Sequence, residues 1–110
     1  MVKYDPKKKV RLGILGGTFD PAHQGHLKIS RVAKKLFKLD KVVWAITKKN
    51  PFKSKSFYSL NKRIHIAKNL TKKTRYVTVG FYEKKIKSNK KIKFINFFKK
   101  NPHNEIFFII

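Results

Sequence analysis

The 110-residue sequence has no cysteine, which excludes disulfide frameworks, thiolate metal sites and thiol nucleophiles and suits a reducing compartment. It has no window of 18 or more apolar residues, the length needed to span a bilayer. Its first ten residues, "MVKYDPKKKV", put charge where a signal peptide would need an apolar core. A soluble, cytoplasmic protein is expected. Neither GxGxxG nor GxxxxGK[ST] occurs, so the two familiar phosphate loops are excluded. At this length one domain is expected, able to bury roughly 65% of its unfolded surface.

Acidic residues are few. Five aspartates and glutamates face 29 lysines and arginines, for a formal charge of +24. Such a field attracts polyanions, and a nucleic-acid binder is the obvious first reading. However, only Arg11, Arg31, Arg63 and Arg75 are arginines. Arginine, not lysine, supplies the planar fork that reads bases. The lysines are spread along the whole chain and accompany Ile, Phe and Asn, residues with A/T-rich codons, so genome composition is a sufficient source for them. Specific nucleic-acid binding is therefore not expected, and a nucleoside triphosphate is the polyanion of interest.

Along the chain, "VRLGILGG" is an apolar run closing on glycines, the pattern of a buried strand entering a turn. A helix follows, with Ile29, Val32, Ala33, Leu36 and Phe37 as its apolar stripe and Lys28, Arg31, Lys34, Lys35 and Lys38 on the remaining face. "KVVWAI" predicts a second strand. "TKKNPFKSKSFYS" predicts a long, functional or mobile loop. Ser59 caps a second helix over about 60–70, with Leu60, Ile64 and Ala67 on one side. "RYVTVGF" predicts a third strand, "KIKFINFFKK" a third helix through Ile92, Ile95 and Phe98, and "EIFFII" a fourth strand. The alternation predicts a parallel α/β sheet with helices on both faces, βαβαβαβ in order. Ligands of such sheets gather beyond the carboxyl ends of the strands, and residues 16–26 occupy the first such end.

That stretch reads "GGTFDPAHQGH". Gly16 and Gly17 let backbone amides approach a ligand and permit unusual dihedrals. Thr18 offers a hydroxyl, Asp20 and Pro21 make a turn, and His23 and His26, three apart in a helix's first turn, can point the same way. The helix N-terminus adds amide donors and partial positive charge, a phosphate-binding setting. A metal pair is the competing reading of two such histidines, but beyond Asp20 no further ligand is evident, and no metal site is assigned.

"GGTFDPAHQGHL", with its HxGH element, resembles the nucleotide-binding motif of the nucleotidyltransferase superfamily. Within it, Gly-Gly before Thr-Phe-Asp-Pro is most similar to the bacterial nicotinate-nucleotide adenylyltransferases. "WAITKKNPFK", "SLNKRIHIAKNL" and "NPHNEIFFII" resemble that family's loop after the second strand, its Arg-containing second helix and the approach to its fourth strand. The resemblance implies a Rossmann-like fold and transfer of AMP from ATP, with Mg²⁺, to nicotinate mononucleotide. It implies that His23 and His26 act on ATP phosphates. It also implies that Gly16, Gly17, Thr18, Phe19 and, in the loop, Lys53 bind the nucleotide, while Asp20 shapes the turn. His65 and His103 match no motif position.

The sequence departs from that family in two places. Lys90, Lys91 and Phe94 fall where it carries a Tyr-Thr-x-x-Thr segment for the pyridine nucleotide. The chain also stops within the fourth strand, before a Gly-x-Asp and a later Ser/Thr- and Arg-containing segment. Residues 1–110 are thus expected to be the N-terminal portion of one nucleotidyltransferase domain, incomplete at the C-terminus. A non-catalytic remnant and a basic nucleic-acid binder using the aromatics of "KIKFINFFKK" are the alternatives.

Overall fold

The computed structural model describes residues 9–48, 57–83 and 91–109, without the side chains of Lys91 and Phe94. Its elements alternate as expected: β1 (Val10–Gly17), α1 (Gln24–Leu36), β2 (Lys41–Ile46), α2 (Leu60–Thr71), β3 (Val77–Gly80), α3 (Lys91–Lys99) and β4 (Asn104–Ile109). All strand pairs are parallel, in the order β3-β2-β1-β4. The chain steps from β1 to β2 to β3 on one side and then returns to place β4 on the other. The order therefore reverses at β1, and sheets of this kind bind ligands beyond the carboxyl end of the strand where that happens.

Strand geometry explains the two cores, because successive side chains point to opposite faces. On one face Leu15, Val42, Trp44 and Ile46 pack with Ala33 of α1 and Ala67 of α2. On the other, Ile14 and Ala45 meet Phe98 of α3 and Tyr82. β2 is covered on both sides, which is why "VVWAI" reads as a continuous apolar run rather than an alternation. Phe97 and Phe98 make edge-on contacts with each other, and Phe98 does so with Tyr82. These phenylalanines are packing groups, not platforms for bases.

α2 begins as expected, with the Ser59 hydroxyl accepting from the Lys62 amide at 3.2 Å. α1 ends on Arg11, whose guanidinium donates to the Phe37 and Lys38 carbonyls and pairs with Glu105 at 3.2 Å. A cation on the last carbonyls of a helix is favoured by their partial negative charge.

The apolar stripe of α1 needs correcting. Ile29, Val32, Leu36 and Phe37 are exposed, Leu36 by 71%, and the helix turns Ser30 and Ala33 inward. The buried side lies about a quarter turn from the predicted one. The cause is Ser30: its hydroxyl donates to the His26 carbonyl and accepts from the Trp44 indole, both at 2.8 Å. Small residues there let the helix sit close to the sheet, and a fully paired hydroxyl is not costly to bury. Ile92 of the third helix is likewise exposed.

With Leu36 at the surface, Leu36→Gln should change unfolding free energy in urea by no more than about 0.5 kcal/mol, as at other surface positions. Ser30→Ala leaves the buried indole N–H unpaired and costs about 1–3 kcal/mol.

Candidate active site

Two of the histidines build the start of α1. His23 is the N-cap, in extended conformation. Its Nδ1 accepts from the Gly25 amide at 3.0 Å, and Nδ1 of His26 accepts from the His23 amide at 3.0 Å. The pair thus forms a reciprocal capping box, in which imidazoles replace the usual hydroxyl and carboxyl. An accepting Nδ1 carries no hydrogen, so each ring is assigned its proton on Nε2. The Nε2–H group is then the one left to donate outward. The rings lie side by side, with centroids 4.1 Å apart.

The glycine of His-x-Gly-His is explained by this geometry. A Cβ on Gly25 would lie 2.7 Å from the His23 ring, so any side chain there displaces the cap. Gly16 is different: among the described residues, a Cβ on it would meet only the Ala45 carbonyl oxygen, at 4.0 Å. Space beside the strand end is open. Gly16 and Gly17 lie within β1 and have no positive φ; the left-handed residue is Phe19, at φ 49°. The expectation of unusual dihedrals at the two glycines is therefore corrected. Phe19 tolerates the conformation because its ring is buried between His26 and Trp44, at centroid distances of 4.5 and 5.1 Å.

Asp20 has a positioning part. Its carboxylate accepts from the Phe57 and Tyr58 amides, tying the turn after β1 to the entrance of α2. Arg63, also on α2, goes further. It is 1% exposed and donates to the carbonyls of Tyr58 (3.1 Å), Thr18 (2.8 Å), Thr47 (2.7 Å) and Lys48. The fork of the guanidinium suits this convergence, since its donors diverge in one plane. One side chain therefore fixes the segments after β1 and β2 and the start of α2. Beside them, Lys48, Leu60, Phe81 and Glu83 line an open hollow of about 400 Å³, and Glu83 accepts from the Lys48 amide at 3.2 Å.

The structure thus brings Gly16, Gly17, Thr18, Phe19, Asp20, His23 and His26 together at the mouth of β1. Lys53 and Lys90 lie outside the described residues, as do the side chains of Lys91 and Phe94. His65 is exposed on α2 beside Asn69, and His103 lies before β4, where its carbonyl accepts from the Val10 amide. Sequence reasoning gave no role to Ser30 or Trp44, and saw Arg63 only as part of a family resemblance. The i, i+3 histidine spacing did carry the signal of a capping box.

Burial holds the His26 pKa below its ordinary value of 6.5, with neighbouring His23 adding to the depression. The ring is harder to protonate in the folded chain than in the unfolded one.

Residues 14–110 match the cytidylyltransferase-like family, and the chain belongs to that family. It is 52% identical over 104 residues to a Pelagibacter ubique protein that carries the name "Probable nicotinate-nucleotide adenylyltransferase", covering 94% of this chain and 58% of that one. A Ruegeria protein of the same name is 46% identical over 59 residues, 54% of this chain and 31% of the relative. The fold matches the Plasmodium falciparum nicotinic acid mononucleotide adenylyltransferase complexed with NaAD, with a TM-score of 0.70 at 15% identity. That match covers 90% of this chain and half of the other. The chain thus spans less than two thirds of the length of these relatives.

Two outcomes follow for the site. As pH falls below about 6.5, the unfolded chain takes up a proton at residue 26 before the folded one does. Stability present above that pH is lost until the depressed folded pKa is passed. Urea midpoints should decline over this window, and His26→Gln should flatten the decline. Arg63→Leu orphans four carbonyls, three of them on half-buried residues, and should cost about 3 kcal/mol or more in the same measurement, with Arg63→Lys recovering only part.

Proposed function

We propose that residues 1–110 are the N-terminal, ATP-binding portion of a single nucleotidyltransferase domain, and that its reaction is adenylyl transfer from ATP to nicotinate mononucleotide. The observation that carries this reading is the histidine capping box. It leaves an Nε2–H donor on each of His23 and His26 at the N-terminus of α1, in the segment that follows the bare strand end at Gly16. Donors held by the backbone need no reorganisation as charge develops on a phosphate, the condition under which they lower a barrier most. The names of the relatives support the choice of acceptor.

In this reading a phosphate oxygen of nicotinate mononucleotide forms a bond to the α-phosphorus of ATP. The bond from that phosphorus to the bridging oxygen breaks, and pyrophosphate leaves with the electron pair. The attacking oxygen is already anionic, so no protein nucleophile or general base is needed, and alignment plus charge stabilisation suffices. His23 and His26 donate to the triphosphate. Gly16 and Gly17 let the nucleotide approach the main chain, the Thr18 hydroxyl adds a donor, and Phe19 holds the His26 ring in place. Lys53 is assigned to the same phosphates by charge and position in the sequence.

Magnesium enters as part of the nucleotide substrate, held by its phosphate oxygens. Asp20 uses both carboxylate oxygens on backbone amides, and the described residues contain no cluster of three His, Asp or Glu suited to a metal. The chain's own part is then to grip and orient the tail.

The test is pyrophosphate release with ATP, magnesium and nicotinate mononucleotide, run beside calorimetric titration of ATP. His26→Ala should lower turnover by about 10²–10³ and weaken ATP binding. Unchanged turnover, or unchanged ATP affinity where the chain binds without turning over, removes the histidine from the mechanism.

A further inference from the structure

A second basic feature is lined by neither histidine, although Gln24 and Leu27 follow them in the chain. An open groove of about 640 Å³ runs between α1 and the connection from α2 to β3. One wall is the helical stripe Gln24, Leu27, Lys28 and Arg31, at i, i+3, i+4 and i+7. The other is the backbone turn that carries Lys73, Arg75 and Tyr76. Leu27 and Tyr76 are half-buried against the core and form its floor, while the four cations stand around it. The volume is within the range of small-molecule sites.

Three observations separate this groove from the general lysine surplus. First, the chain has only four arginines, and two of them are occupied: Arg11 caps α1 and Arg63 is buried on carbonyls. The other two, Arg31 and Arg75, both line this one groove, and neither has a hydrogen-bond or ion-pair partner among the described residues. Second, each described carboxylate is held elsewhere. Asp20 and Glu83 bind backbone amides, Asp40 binds the Arg11 amide, and Glu105 binds the Arg11 guanidinium. Among the described residues, no carboxylate lines the groove. Third, Gln24 on the same wall adds a neutral donor.

Four cations lining one groove, none with a carboxylate partner among the described residues and two of them with bidentate forks, match the oxygens of linked phosphate groups. The floor disfavours nucleobases, because the Lys34 ammonium lies over the Tyr76 ring, 5.2 Å from its centroid, and competes with a base for that face. We propose that this groove is a second anion site, separate from the nucleotide site at the mouth of β1, and that it takes a small oligophosphate. Neither His23 nor His26 lines it, so the inference stands apart from the assignment of the catalytic histidines.

The probe is inorganic tripolyphosphate, titrated calorimetrically into the intact chain and three double variants. Arg31→Gln with Arg75→Gln should weaken binding at this site by at least about tenfold. His23→Ala with His26→Ala should leave it in place. Lys62→Gln with Lys68→Gln removes the same charge from exposed positions on α2 and should have little effect. Binding unchanged in the arginine variant overturns the proposal, as does an equal loss in the α2 variant, which would show a diffuse field instead of a site. Displacement of tripolyphosphate by a single-stranded oligouridylate at matched phosphate concentration, with tighter binding, would overturn the choice of a small ligand. Failure to displace supports it.

Discussion

The buried guanidinium of Arg63 is the interaction on which the rest of this structure depends. Loops at the carboxyl end of a parallel sheet carry carbonyls that no strand neighbour satisfies, and here four of them, from three separate segments, turn toward one side chain. A cation in that position needs no carboxylate partner, because converging carbonyl dipoles supply the negative potential. The arrangement sets the distance between the turn after β1 and the end of β2. It therefore determines where the site can be.

On that frame a second set of contacts positions the histidines. The Trp44 indole, buried in the central strand, donates to Ser30, and Ser30 donates to the His26 carbonyl. Phe19 fills the space between Trp44 and the His26 ring. Each group is thereby constrained from both sides, and the left-handed backbone at Phe19 is compensated by the packing of its ring. The same hydrogen bonds that cap α1 also decide the tautomer of its histidines. A structural device at the helix start thus prepares a chemical one, since the ring atom not used for capping is the one free to meet a ligand.

The charge distribution follows from how the few acidic groups are employed. All four described carboxylates join segments of the chain, three through backbone amides and one through Arg11. Five acidic groups against 29 lysines and arginines leave most of the positive charge without a carboxylate to offset it. A large positive field then persists over the surface and raises the local concentration of anions, while shape and donor geometry decide where an anion is held.

By itself the sequence determined the order of strands and helices, the Ser59 cap, and the assembly of residues 16–26 at one strand end. These are local properties, set by hydrophobic period, turn chemistry and spacing over a few residues. Three matters were decided only by tertiary structure. The face of α1 that meets the sheet depends on a hydroxyl finding the Trp44 indole 14 positions away. Within residues 16–26 the left-handed residue is Phe19 and not a glycine, because ring packing outweighs backbone preference there. Arg63 became the hub because carbonyls distant in sequence converge on it. Local pattern records which residues share a side, but long-range partners determine which side is buried and which polar groups can be satisfied there.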